Sequence, residues 1–68
     1  MKIYTEIDLK KIRRKKQYGD AKIITQETGA SESAISQVIN GVYYNQAILD
    51  SAWKIITERE SEKLAAKI

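Results

Sequence analysis

Sixty-eight residues allow a single domain that buries only about 60% of its unfolded surface, so modest stability is expected. The chain has no Cys and no His, which excludes disulfides, the common zinc sites and His- or Cys-based catalysis; no enzyme, metal or cofactor is expected. Net charge is +3, divided as eight Lys/Arg against four Asp/Glu in residues 1–30 and four against five in residues 31–68. A phosphate-facing surface would be charged in this uneven way. No apolar run approaches the roughly 20 residues of a membrane span, and no signal-peptide layout is present, so a soluble intracellular protein is expected.

Ile3 and Tyr4 read as an arm that packs back on the core. Thr5 suits the N-cap of a first helix, and Glu6 and Asp8 fall in its first turn, where the helix dipole favours acids. Leu9 and Ile12, spaced i,i+3, face inward with Thr5. Lys10, Lys11, Arg13 and Arg14 point mostly outward, and Lys15 and Lys16 fall in the last turn. Six cations in seven positions exceed what solubility needs. Phosphate contact is the functional reading, and a solvated face with a favourable carbonyl end is the plain one.

Gly19 is expected to end the first helix and Asp20 to cap a second, from Ala21 to about Thr28. Ala21, Ile24, Thr25 and Thr28 would form its inward stripe, with Ile23 beside them. Gly29 closes it where the chain must turn left-handed. Ser31 caps a third helix, residues 32–40. At about 100° per residue, Ser31, Val38 and Ile39 fall beside Ile35, while Ser33, Ser36, Gln37 and Asn40 fall opposite. A solvent-facing helix normally carries Lys and Glu. Ser, Gln and Asn instead supply the groups that hydrogen-bond base edges. The helix-turn-helix so defined covers residues 20–41.

Asn40-Gly41 ends the third helix, and Val42 is expected to return to the core. Tyr43 and Tyr44 either cover the core or offer a hydroxyl to a phosphate. Asn45 caps a long last helix, about 46–67. Ile48, Ala52 and Ile55 form one apolar stripe and Leu49, Trp53 and Ile56 another, with Trp53 as a core anchor. Beyond Thr57 the sequence turns charged, while Leu64 and Ile68 continue the apolar line through Glu60. That extension is either solvated or pairs with a second subunit. The expected core is Leu9, Ile12, Ile24, Ile35, Val38, Val42, Ile48, Ala52, Trp53 and Ile55.

From Asp20 to Asn45 the chain resembles the lambda Cro/repressor-type helix-turn-helix family. The turn Gly is Gly29, and apolar residues follow it six and nine positions later, at Ile35 and Val38. Thr25 stands four before it, where members more often have Ala; a buried Thr can bond back to a helix carbonyl. Asn40-Gly41 and the helix-opening Asn45 also match. The resemblance implies an all-α fold of four to five helices with a long C-terminal helix. It assigns base contacts to Glu32, Ser33, Ser36 and Gln37. Phosphate contacts go to Asn40, Tyr43, Tyr44 and Asn45, with Gln26 or Ser31 near the motif's start and the basic run 10–16 in support. Glu32 would be repelled by phosphate unless it accepts from a cytosine N4; its plainer role is a helix-dipole partner.

The implied function is sequence-specific binding of double-stranded DNA as a transcriptional regulator, most simply a repressor, in the cytoplasm of a bacterial or phage-infected cell. A homodimer is expected at least on DNA, without membrane or small-molecule partners. Two alternatives stay open: a phage assembly or DNA-packaging protein with an oligomerising last helix, and a protein-binding modulator. Glu58 and Glu62, i,i+4 and without a pocket, read as surface charge rather than a catalytic pair.

Overall fold

A computed structural model describes residues 2–17 and 19–66, the last four by backbone alone. The fold is all-α: α1 (Glu6–Lys15), α2 (Asp20–Thr28), α3 (Glu32–Ile39) and α4 (Gln46–Ala66), with no strand among the described residues. The 21-residue α4 touches each of the other three, and α3 touches α1 and α2.

Local capping sets most of the boundaries. The Thr5 hydroxyl accepts from Asp8 N, and the Asp8 carboxylate accepts from Thr5 N at 2.9 Å, a reciprocal capping box. Ser31 accepts from Ala34 N, and Asn45 from Ile48 N. Each satisfies an amide that would otherwise lack a partner at a helix start. With their oxygens so used, Thr5 and Ser31 are exposed rather than inward.

The break between α1 and α2 differs from expectation. Lys16, not Gly19, ends α1 by turning extended. Gly19, at φ 96°, is the N-cap of α2 and makes no side-chain cap bond. Asp20 is the first residue of α2 and is buried. Its carboxylate accepts from Gln17 N at 2.8 Å and from Arg59 Nη2 at 2.6 Å. A buried carboxylate is retained only with such partners, which draw it inward from the cap position.

The core contains Ile12, Ile24, Ile35, Val38, Ile48 and Ala52 as expected, together with Tyr4, Ile39, Leu49 and Ile56. Leu9, Trp53 and Ile55 pack partly buried against it. Trp53 meets the Tyr4 ring edge-on at 5.8 Å between centroids, and Lys2 and Lys11 ammonium groups lie 4.6 and 5.1 Å from its ring centre. The arm therefore docks through Tyr4 and Lys2, whose carbonyl also accepts from Gln46 Nε2, while Ile3 is exposed.

Val42 does not return to the core but is 69% exposed. Its N–H bonds to the Gln37 carbonyl, and Gly41, at φ 84°, donates to the Val38 carbonyl. This is a Schellman closure, in which the residue after the Gly normally packs on the one five positions before it. Here that residue is Gln37, so Val42 gains no apolar neighbour there. Ile23 also lies largely outside the core.

Residues past Thr57 are not merely solvated. Arg59 donates to the Lys15 carbonyl at 3.1 Å as well as to Asp20, and Glu60 pairs with Lys15 at 2.8 Å and Lys11 at 3.8 Å. These contacts tie α4 to the end of α1. The Leu64 side chain and Ile68, which carry the expected apolar line onward, lie outside the described residues.

Candidate nucleic-acid interface

The turn between α2 and α3 is made by Gly29, at φ 77°, whose N–H bonds the Thr25 carbonyl at 2.8 Å. A Cβ there would meet nothing, so Gly is required by the backbone angle and not by space. Thr28 Oγ1 donates to the Ile24 carbonyl at 2.7 Å and accepts from Ala30 N. The back-bond envisaged for Thr25 is therefore made by Thr28, while Thr25 Oγ1 is buried without a partner. Ile35, Val38 and Ile39 anchor α3.

Seated in this way, α3 turns Glu32, Ser33, Ser36, Gln37 and Asn40 outward, all exposed. Only Glu32 among them is charged. Gln37 Nε2 donates to Ser33 Oγ at 3.4 Å, and Asn40 Nδ2 to Ser36 Oγ at 3.3 Å. Glu32 lines a crevice of about 570 Å³ with Arg13, Lys16, Gln17, Gly19, Ala21 and Lys22. Its charge therefore sits in a basic surrounding, where repulsion by an approaching phosphate is reduced.

The basic run of α1 is divided by its neighbours. Around the helix, with buried Ile12 as origin, Lys11 and Lys15 fall about 60–100° to one side and Arg13 about 100° to the other. Lys11 and Lys15 meet Glu60 of α4. Arg13 donates to the Ile39 carbonyl at 2.7 Å and to Glu6 at 2.8 Å, clamping the end of α3. Lys10 and Arg14 fall opposite Ile12 and are exposed, Arg14 at a crevice it shares with Ile56, Arg59 and Glu60 of α4. Lys16 reaches the crevice beside α3. The crevice at Glu32 thus gathers Arg13, Lys16 and Lys22, with Arg13 already bonded to Ile39 and Glu6, while Lys11 and Lys15 are turned to α4.

Lys22 was absent from the sequence-derived set. It is the sole cation between Asp20 and Asn45, and that isolation within the motif is the available signal. Gln26 and Ser31 are exposed on the motif. Tyr43 is 43% exposed. Tyr44 is also exposed, but its hydroxyl is engaged: it donates to Gln46 Oε1 at 2.6 Å and accepts from Tyr4 N. Asn45 Oδ1 is occupied by its cap bond.

Among the described residues no helix is long and apolar enough to cross a membrane, and no group of three metal-ligating side chains occurs. Comparison with protein-family models, curated proteins and solved structures found no match.

Proposed function

We propose that the protein binds double-stranded DNA with sequence preference, most simply as a transcriptional repressor. The third helix would lie in the major groove. The observation that carries the reading is the exposed face of α3: hydroxyls and amides at Ser33, Ser36, Gln37 and Asn40, with Lys16 and Lys22 in the crevice at Glu32, where the helix starts. Side-chain amides read base edges, and lysines hold phosphates without regard to sequence. A single module of this size offers only about 600–1,000 Å² of contact, so binding is proposed to be dimeric.

Selection of bound duplexes from a random pool tests the reading, with a palindromic consensus expected. Gln37→Ala should then lose about 1–3 kcal/mol of discrimination at one base pair, an A·T. Lys22→Ala should weaken binding to all duplexes alike and lower the salt slope by about one. Equal losses by both variants on selected and random duplexes would overturn direct base readout by α3.

A further inference from the structure

We propose that Ser33 and Ser36 act as positioning residues: they hold the amides of Gln37 and Asn40 toward DNA and do not touch it themselves. The proposal rests on the DNA-binding reading above. Each serine oxygen already accepts an amide N–H from the residue one turn on, at 3.4 and 3.3 Å. The two pairs repeat the same i,i+4 geometry, side by side, on a helix face that carries no cation.

An untethered Gln on an exposed helix samples many rotamers, and ordering it at an interface costs affinity. A tether to the preceding turn restricts those rotamers before DNA arrives. Each amide has two N–H groups and one carbonyl oxygen. With one N–H held by serine, a donor and an acceptor remain. Adenine presents the complementary pair in the major groove, its N7 and N6–H₂. Gln37 lies within α3, where base edges are met. Asn40 is the C-cap of α3, beside the loop to α4, where phosphate contact is proposed. The same tether should therefore have two different readouts: base discrimination for Ser33 and overall affinity for Ser36.

Both serines are exposed, and Ala is the better helix former, so the alanine variants should fold. The experiment starts from the duplex selected by the wild-type chain. Affinities for it and for its single-base variants are then measured with wild type, Ser33→Ala, Ser33→Thr, Gln37→Ala, the Ser33→Ala/Gln37→Ala double variant and Ser36→Ala. Ser33→Ala should lose about three- to tenfold discrimination at the base pair that Gln37→Ala affects. Ser33→Thr, which keeps the hydroxyl, should retain it, and the double variant should be no worse than Gln37→Ala alone. Ser36→Ala should weaken all duplexes by a similar factor without changing preference. Serine and glutamine losses that add, or that fall at different base pairs, would mean direct serine contact and overturn the proposal. So would unchanged discrimination in Ser33→Ala. A wild-type chain that selects no consensus removes the DNA reading itself, and this proposal with it.

Discussion

Thr25 and Thr28 sit three residues apart on α2, and both were placed on its inward stripe. Packing separates them. Thr28 donates to the Ile24 carbonyl and receives Ala30 N, whereas Thr25 Oγ1 is buried with no partner. A buried hydroxyl left unsatisfied costs about 1–3 kcal/mol, and a satisfied one contributes about 0.5–1.5 kcal/mol. Thr25→Ala should therefore be stabilising, by up to about 1 kcal/mol after the lost methyl packing is deducted. Thr28→Ala should destabilise by a similar amount. Urea titration of both variants checks the pair, and a loss of more than 1 kcal/mol in Thr25→Ala would refute the assignment. Neither threonine's partner was legible in the chain, because the distinction depends on side-chain rotamer and neighbouring backbone.

At the scale of elements, three of the four helix starts were the most legible part, the exception being α2, where Gly19 and not Asp20 is the N-cap. Thr5, Ser31 and Asn45 cap as read, because a cap bond spans only three residues. The charged side chains were not legible in this way. Arg59 lies 39 positions from Asp20, and nothing local joins them. Arg59→Ala should cost about 2–3 kcal/mol, since it leaves the Asp20 carboxylate buried without its cation; the partial exposure of Arg59 keeps the loss below that of a fully buried pair. Asp20→Asn retains an acceptor for Gln17 N and should cost less. Thermal melts of the two variants decide, and a harmless Arg59→Ala would contradict the clamp.

The α1–α4 clamp also predicts a pH dependence. The hydrogen bond from Lys15, with Lys11 nearby, holds the Glu60 carboxyl below its ordinary value of 4.5, and the Thr5 N–H, with Lys2 nearby, holds Asp8 below 3.8. Both groups bind protons less readily in the folded chain than in the unfolded one. Their stabilisation is therefore complete above the ordinary values and lost as pH falls through and below them. The melting temperature should stay level from pH 7 to about 5 and fall from about pH 4.5 downward. Glu60→Gln should reduce that fall. A melting temperature that holds to about pH 3, or an acid slope unaltered in Glu60→Gln, would rule this out.

At the scale of the molecule, the bundle measures 39 × 24 × 22 Å, and its α3 face can span only a short stretch of groove. A symmetric pair on DNA would place two α3 helices about 34 Å apart, one helical turn of the duplex. Sedimentation of the free chain and of its complex with the selected duplex should give two chains per duplex. One chain per duplex at saturation would defeat the dimer. Salt titration belongs with it: a dimer doubles the number of neutralised phosphates, so the slope of log affinity against log salt should be about twice that of a half-site duplex.

The sequence by itself determined the all-α class, the helix order, the turn at Gly29 and the division of α3 into an apolar and an uncharged polar face. These follow from local bonds and from a period of 3.6, which a linear chain displays. The tertiary structure alone decided where the basic run of α1 is used. Lys11 and Lys15 were drawn to Glu60, and Arg13 to the end of α3. Lys16, joined by Lys22, lines the crevice at Glu32, at the start of α3. The tertiary structure also left Val42 outside the core, because Gln37 stands where its apolar partner would be. A charge or a methyl group is assigned by what lies across from it, and only the folded chain brings residues tens of positions apart within reach.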